Sequence, residues 1–172
     1  MFDVLSRMVR TGILTERGPV PAESSVAQTE LHAEILKIVG RALCVRHVDA
    51  GSCNGCELEI HALNNPYYNL EGAGIKFVAS PRHADMLLVT GPVSVNMEEA
   101  LKRTYDAVPE PKLVMAIGDC GTCGGVFGEN YASRGAVANV IPVHHTVTGC
   151  PPSPADIMSA IIQMVRSSGG RR

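Results

Sequence analysis

Six cysteines are the residues of this 172-residue chain whose type and spacing could do chemistry. They are Cys44, Cys53, Cys56, Cys120, Cys123 and Cys150. Four of them form two CxxC pairs, a spacing typical of metal ligands and of redox dithiols. Because thiols stay reduced in the cytoplasm, this set indicates metal binding or redox chemistry rather than structural disulfides.

Three glycine-rich turns carry five of these thiols. They span residues 51–56, 118–125 and 149–152. Glycine lets the backbone turn its amides towards a bound anion, and amide hydrogen bonds to sulfur help to set the potential of an iron-sulfur cluster. A four-iron cluster needs four thiolates, so these turns supply enough ligands for one.

Two other chemistries are compatible with the same residues. Zinc also takes four thiolates from paired CxxC motifs, but zinc ribbons place the two pairs about 15 to 20 residues apart. Here residues 57–119 lie between Cys56 and Cys120, and zinc would leave Cys150 unused. A thioredoxin-like dithiol at Cys53 and Cys56 is the third alternative. Spacing alone ranks the iron-sulfur cluster first, zinc second and the dithiol third.

Composition and charge exclude several classes of function. The net charge is -2 and the isoelectric point is near 6.3, so no positive field attracts a nucleic-acid backbone and no nucleic-acid partner is expected. The longest apolar runs, residues 86–89 and 157–165, are much shorter than the roughly 20 residues of a membrane-spanning helix. Asp3 and Arg7 interrupt the first residues, which therefore do not resemble a secretory signal. We expect a folded cytoplasmic protein.

Short runs rich in Val, Ile, Leu and Met predict five buried strands, and helical spacing predicts helices between and around them. The strands are residues 42–48, 75–79, 86–90, 113–117 and 140–143. The first helix contains Leu31, Ile35, Ile38 and Val39 on one face and ends at Gly40. The second spans Asn96–Ala107, with Asn96 and Glu99 in capping-box spacing. The third opens with Ser153-Pro154 and is expected to bury Ile157, Ile161, Met164 and Val165.

Strands that alternate with helices predict an α/β fold with a mainly parallel sheet covered on both faces. Ligands of such sheets lie beyond the carboxyl ends of the strands. Each of the three cysteine turns follows a predicted strand, so we expect the three turns to converge at one edge of the sheet.

The sequence predicts an N-terminal arm and linker over residues 1–25, followed by a single α/β domain over residues 26–172. An amphipathic pattern runs from Phe2 to Val9, and residues 18–25 are rich in Gly, Pro and Ser. The arm could dock on a partner or on a membrane surface, or it could cover the core of its own domain.

Several segments together resemble the small, iron-sulfur subunit of membrane-bound [NiFe]-hydrogenases of the formate hydrogenlyase type. They are Ser52–Ile60, Ser80–Asp85, the turn around Cys120 and Gly149–Pro152, and the resemblance runs from about Arg41 to Ala160. This family is related to the twenty-kilodalton subunit of NADH-quinone oxidoreductase. That subunit has two adjacent cysteines where this chain has Cys53 and Cys56, and the spaced pair is hydrogenase-like.

The resemblance implies a flavodoxin-like three-layer domain that holds one [4Fe-4S] cluster. The family's ligand pattern falls on Cys53, Cys56, Cys120 and Cys150. Cys120 rather than Cys123 is the implied ligand because the family's GxCxxxGG turn matches Gly118, Cys120, Gly124 and Gly125. Cys123 is then an additional thiol beside the site, and Cys44, inside a strand, is expected to be a small buried hydrophobic residue.

The same resemblance implies an electron-transfer subunit of an oxidoreductase, without a complete active site and without a small-molecule substrate of its own. The implied partners are a large [NiFe] hydrogenase-like subunit, other iron-sulfur subunits and integral membrane subunits. The implied location is peripheral, on the cytoplasmic side of the plasma membrane. The alternatives are a twenty-kilodalton-type subunit of an NADH-quinone oxidoreductase-like complex and a zinc-stabilised structural subunit.

The remaining polar residues have simpler interpretations. Glu57 and Glu59 fall in a first helical turn, where the helix dipole favours acidic residues without any further role. The histidines at positions 61, 83, 144 and 145 are interpreted as structural because four thiolates already complete a ligand set. Arg82 and His83, within the hydrogenase-like motif, are the secondary candidates for a functional role.

Overall fold

The computed structural model describes residues 2–11, 32–33, 35–37 and 40–168, and for residues 2–5 and 8 it describes the backbone alone. Its strands are β1 (Leu43–Asp49), β2 (Ile75–Phe77), β3 (Met86–Thr90), β4 (Leu113–Ile117), β5 (Glu129–Asn130), β6 (Ser133–Arg134) and β7 (His145–Val147). Its helices are α1 (Phe2–Thr11), α2 (Gly55–Ala62), α3 (Val95–Ala107), α4 (Gly118–Cys123) and α5 (Pro154–Ser168), with short 3-10 helices at Pro81–His83 and Val137–Asn139.

Five strands form one parallel sheet in the order β2-β1-β3-β4-β7, and β5 and β6 form a separate antiparallel pair. This is the strand order of flavodoxin-like folds, in which the sheet order reverses between the first and third strands. The predicted α/β class with a mainly parallel sheet is confirmed.

Both faces of the sheet are covered, which explains why the strands are continuous apolar runs rather than alternating ones. On one face the strands pack against α2 and α5, where Ile60 and Ile161 are buried. On the other face they pack against α3 and the segment that follows the 3-10 helix Val137–Asn139, where Leu101 and Ile141 are buried. The central strand β3 is buried along its whole length.

The prediction of the fifth strand was wrong. Residues 140–143 are not a strand, and β7 begins later, at His145. A 3-10 helix ends at Asn139, and Ile141 is buried with the apolar cluster on the α3 face, so this apolar run fills the core without pairing. The apolar pattern of the sequence does not predict β7, because it is a three-residue edge strand in which Val147 alone is buried.

Two of the predicted helices, α3 and α5, form with small changes at their ends. α3 begins at Val95, so Ser94 rather than Asn96 occupies the N-cap position. In α5, the Ser153 hydroxyl lies 2.6 Å from the Asp156 carboxylate and 3.3 Å from the Asp156 amide, which closes the first turn. All four predicted core residues of α5 are buried.

The N-terminal predictions are described only in part. α1 falls within the predicted arm, and the linker residues 18–25 lie outside the described residues. Residues 32–33 and 35–37 are helical, with Ile35 fully buried, whereas Leu31, Ile38 and Val39 lie outside the described residues. Among the helices of the described ranges, none combines the length and apolar character needed to cross a bilayer.

Candidate metal centre

The three cysteine turns lie at the carboxyl edge of the sheet, where the topology predicted them. Cys53 is in the loop after β1, and Cys56 is the second residue of α2. Cys120 lies in the first turn of α4, directly after β4. Cys150 lies between β7 and α5 and is exposed, as is Cys53, whereas Cys56 and Cys120 are half-buried.

The thiols of Cys53, Cys56, Cys120 and Cys150 act on one another electrostatically. Burial raises the pKa of the Cys56 thiol to about 12, and negative charge on Glu57, Cys120, Cys53 and Cys150 adds to the increase. Burial also raises the pKa of Cys120, and here Cys150 and Cys53 contribute next. Cysteines of all three turns therefore influence the same thiols, and deprotonation of all four would be opposed by mutual repulsion unless a cationic group were bound among them.

Two glycines make room for these sulfur atoms. A Cβ atom on Gly118 would lie 2.7 Å from Cys56 Sγ, and one on Gly125 would lie 2.9 Å from Cys120 Sγ. Both glycines also have positive φ, +81° and +54°, a conformation that side chains disfavour. The backbone thus approaches the thiols as closely as glycine alone permits.

Hydrogen bonds fasten the cysteine loops to the sheet and to each other. The Asp49 carboxylate, at the end of β1, accepts hydrogen bonds from the amides of Gly51 and Ser52, both at 2.8 Å. The Asp119 carboxylate accepts one from the Gly149 amide, also at 2.8 Å. The residues before Cys53 and before Cys150 are therefore held in place by carboxylates.

Sequence reasoning missed a buried polar network beneath the first loop. Glu57 is 6% exposed, and its two carboxylate oxygens accept hydrogen bonds from the Ser52 and Thr90 hydroxyls. His47 Nε2 lies 3.0 Å from Thr90 Oγ1 and 3.7 Å from Glu57 Oε1. Burial lowers the pKa of His47, and the charges of Glu57 and Asp49 oppose that shift.

Glu57 does lie in the first turn of α2, as predicted, but the interpretation that it has no further role needs correction, because its burial and two hydroxyl partners are not required by the helix dipole. The missed signal is weak in the sequence. Thr90 closes an otherwise apolar strand, and His47 interrupts another. Only the fold brings both of them to Glu57.

The two remaining cysteines, Cys123 and Cys44, lie outside the set of four proposed ligands. Cys123, the last residue of α4, is exposed, and its thiol donates to the Asp119 carbonyl at 3.2 Å. Its charge raises the pKa of Cys120 less than the charges of Cys150 and Cys53 do. Cys44 is half-buried rather than fully buried as expected, and its sulfur accepts a hydrogen bond from Nη1 of the exposed Arg41 at 3.5 Å.

The remaining polar candidates are at or near the surface. Glu59 is half-buried, whereas His61, Arg82 and His83 are exposed. His144 is also exposed, and His145, in β7, is half-buried. His144 Nδ1 accepts a hydrogen bond from the Val114 amide at 3.0 Å, which is a structural contact.

The donor set fits an iron-sulfur cluster in its chemistry: soft thiolates, glycines against the sulfur atoms and an edge position. Within the described ranges, no group of three or more His, Cys, Asp or Glu side chains is arranged to hold a single metal ion.

A family model for the 20 kDa subunit of NADH ubiquinone oxidoreductase matches residues 53–164, which include all four of these cysteines. The chain belongs to this family. Membership confirms the relationship inferred from the sequence motifs and makes the chain a member of an oxidoreductase subunit family.

Individual proteins similar to this chain are subunits of hydrogenase and hydrogenlyase. The chain is 47% identical over 130 residues to the probable membrane-bound hydrogenase subunit mbhJ of Pyrococcus furiosus, covering 76% of this chain and 78% of that protein. It is 42% identical to formate hydrogenlyase subunit 7 of Escherichia coli, covering 80% of this chain and 54% of that one, so it matches about half of the length of that relative.

A solved structure, that of the membrane-bound sulfane sulfur reductase, an archaeal respiratory membrane complex, contains a chain with the same fold. That chain aligns with a TM-score of 0.65 and 29% identity, over 80% of this chain and 77% of that one. Named relatives of this family member thus belong to membrane-bound hydrogenase, hydrogenlyase and respiratory assemblies.

Proposed function

We propose that this chain is the electron-transfer small subunit of a membrane-associated [NiFe]-hydrogenase complex of the formate hydrogenlyase type. It carries one [4Fe-4S] cluster on Cys53, Cys56, Cys120 and Cys150. The observation that supports this most is the placement of four thiols on three glycine-rich turns at the carboxyl edge of the sheet, with Gly118 and Gly125 leaving room for two of the sulfur atoms. The similarity to mbhJ and to formate hydrogenlyase subunit 7 supports the hydrogenase assignment.

When bound, a [4Fe-4S] cluster supplies one-electron chemistry. The residues of this chain hold and tune it. Cys56 and Cys120 bind from half-buried positions and Cys53 and Cys150 from exposed ones, so one side of the site is closed by protein and the other is open to a partner. Gly118 and Gly125 keep the backbone close to the sulfur atoms.

The reaction with hydrogen belongs to a partner. A large [NiFe] hydrogenase-like subunit lies against the open side of the site, other iron-sulfur subunits exchange electrons with it, and integral membrane subunits anchor the assembly. The chain itself has no small-molecule substrate and lies peripherally on the cytoplasmic side of the membrane. Val126 and Phe127, which are 92% and 56% exposed in the turn that follows α4, provide apolar surface beside Cys120 for such a partner.

The family match favours one alternative, a 20 kDa-type subunit of an NADH-quinone oxidoreductase-like complex. The spaced Cys53–Cys56 pair supports the hydrogenase. Copurification decides between them: a large subunit that contains nickel and its four cysteine ligands supports the hydrogenase, and one that lacks them supports the alternative.

The direct test is metal analysis of the protein purified anaerobically in its complex. Dissociation of the complex under anaerobic conditions and isolation of this chain should yield about four iron and four acid-labile sulfide per chain, with a brown colour and an electron paramagnetic resonance signal on reduction. A colourless chain that contains zinc and no sulfide would instead identify a zinc-stabilised structural subunit and refute the cluster.

A further inference from the structure

Glu57 is a buried carboxylate that immediately follows a proposed cluster ligand, and its contacts are not those of a surface helix terminus. It is 6% exposed. Ser52 Oγ donates to Glu57 Oε2 at 2.5 Å, and Thr90 Oγ1 donates to Glu57 Oε1. Each carboxylate oxygen therefore has a hydroxyl partner, which is the condition under which a buried acid is tolerated.

The two hydroxyls come from different parts of the fold. Ser52 precedes Cys53 in the ligand loop, and its Oγ also accepts a hydrogen bond from the Asn54 amide at 3.0 Å. Thr90 is the last residue of β3 and is fully buried. Glu57 thus connects the loop that carries both cysteines to the central strand of the sheet.

His47 completes the network from the neighbouring strand. His47 Nε2 lies 3.0 Å from Thr90 Oγ1, whose hydroxyl donates to Glu57 and has the Val48 carbonyl, at 3.4 Å, as a second acceptor. The side chains from β1, β3 and α2 form one chain of contacts that ends beside Cys56. Such a network fixes the rotamers of its members because each depends on its neighbours.

We propose that Glu57 is a positioning residue for the cluster: held by Ser52 and Thr90, it fixes the Cys53–Cys56 loop and places a negative charge beside Cys56. This inference rests on the proposed function, since it requires that Cys53 and Cys56 bind the cluster. Fixed loop geometry slows release of the cluster, and a buried negative charge next to it lowers its reduction potential.

A double-mutant cycle between Thr90 and Glu57 tests the network without touching a ligand. Thr90→Val removes the hydroxyl and nearly preserves the side-chain shape, Thr90→Ser keeps the hydroxyl, and Glu57→Gln keeps the size and removes the charge. Each variant is purified anaerobically in its complex. The readouts are the electron paramagnetic resonance spectrum, the midpoint potential and the rate at which a ferrous chelator removes iron.

The expected result is a pattern across the variants. Thr90→Val increases the rate of iron loss by about tenfold or more, the scale of one lost hydrogen bond to a buried charged group, and Thr90→Ser stays near wild type. Glu57→Gln shifts the midpoint potential to a more positive value. Adding Thr90→Val to Glu57→Gln increases iron loss less than Thr90→Val does alone, because Gln leaves only a weaker, neutral hydrogen bond from Thr90 to lose.

Two results would overturn the inference. One is a loaded wild-type cluster whose spectrum, potential and iron release do not change in Thr90→Val and Glu57→Gln. The other is full additivity of the two substitutions in iron release, which would mean that they act separately. If the wild-type chain itself contains no iron and sulfide, the proposed function fails first, so the two failures are distinguishable.

Discussion

Asp119 and Gly149 are joined by two hydrogen bonds that connect two cysteine turns. The Asp119 carboxylate accepts from the Gly149 amide at 2.8 Å, and the Asp119 amide donates to the Gly149 carbonyl at 2.9 Å. Because Cys120 and Cys150 are the next residues in each case, this pair sets the distance between their backbones. Two of the three cysteine turns are thus connected to each other, and Asp49 at the end of β1 holds the third.

Substitution of Asp119 should loosen this connection. Asp119→Leu leaves the Gly149 amide without its carboxylate partner, at a cost of about 1 to 3 kcal/mol, and we expect faster iron loss to a chelator. Asp119→Asn keeps an acceptor oxygen and serves as the matched control, with iron loss near the wild-type rate. Equal rates in the two variants would show that the side-chain bond does not hold the Cys150 turn.

The ligand assignment predicts opposite results for two exposed cysteines. Cys150→Ser should abolish the visible absorption and remove iron from the chain, because it deletes a proposed ligand. Cys123→Ser should leave the spectrum and the iron content nearly unchanged, since Cys123 is the additional thiol. Iron and sulfide analysis of both variants checks the assignment, and bleaching by Cys123→Ser would refute it.

Gly118 is expected to be intolerant of any side chain. Gly118→Ala places a Cβ atom 2.7 Å from Cys56 Sγ at a φ of +81°, so it should displace a ligand as well as strain the backbone. Gly128→Ala is the control, because its φ is +58° and nothing lies within 4 Å of the added atom. We expect the control to cost about 1 to 2 kcal/mol of unfolding free energy from the left-handed conformation alone.

Iron content and thermal unfolding separate these two effects. Gly118→Ala should lose iron as well as stability, whereas Gly128→Ala should lose stability and keep its iron. Full iron content in Gly118→Ala would mean that the backbone does not confine the Cys56 sulfur.

The pKa of Cys56 predicts a pH dependence in protein from which the metal has been removed. Burial and neighbouring negative charges raise this pKa from 9.0 to about 12, so the folded protein holds the proton more tightly than the unfolded chain does. The resulting stabilisation is complete below pH 9 and is lost as the pH rises towards about 12.

Alkylation provides the measurement, since the thiolate is the reactive form. Modification of Cys56 by iodoacetamide, followed by mass spectrometry, should be slow at pH 9 and should accelerate towards pH 12. The unfolding free energy of the wild type should also fall over this range more steeply than that of Cys56→Ala. Half-maximal reactivity of Cys56 near pH 9 in the folded chain would contradict the prediction.

The sequence predicts the strands that are apolar along their whole length, but it does not predict the short edge strand β7. Residues 86–90 and 113–117 were located at both ends, because central strands buried on both faces leave an uninterrupted apolar signal. The edge strand β7 was misplaced onto residues 140–143, because burial of Ile141 gives the same signal without strand pairing. An edge strand needs few apolar residues, so local composition does not reveal it.

The sequence by itself determined the α/β class and the edge at which the three cysteine turns lie, because alternation of strands and helices sends every turn that follows a strand to the same edge. The resemblance of its cysteine motifs indicated the family. Only the tertiary structure decided the contacts among residues distant in the chain. Glu57 in α2 meets Thr90 at the end of β3, and Asp119 meets Gly149 between turns. Such pairings depend on packing in three dimensions, which the order of residues along the chain does not record.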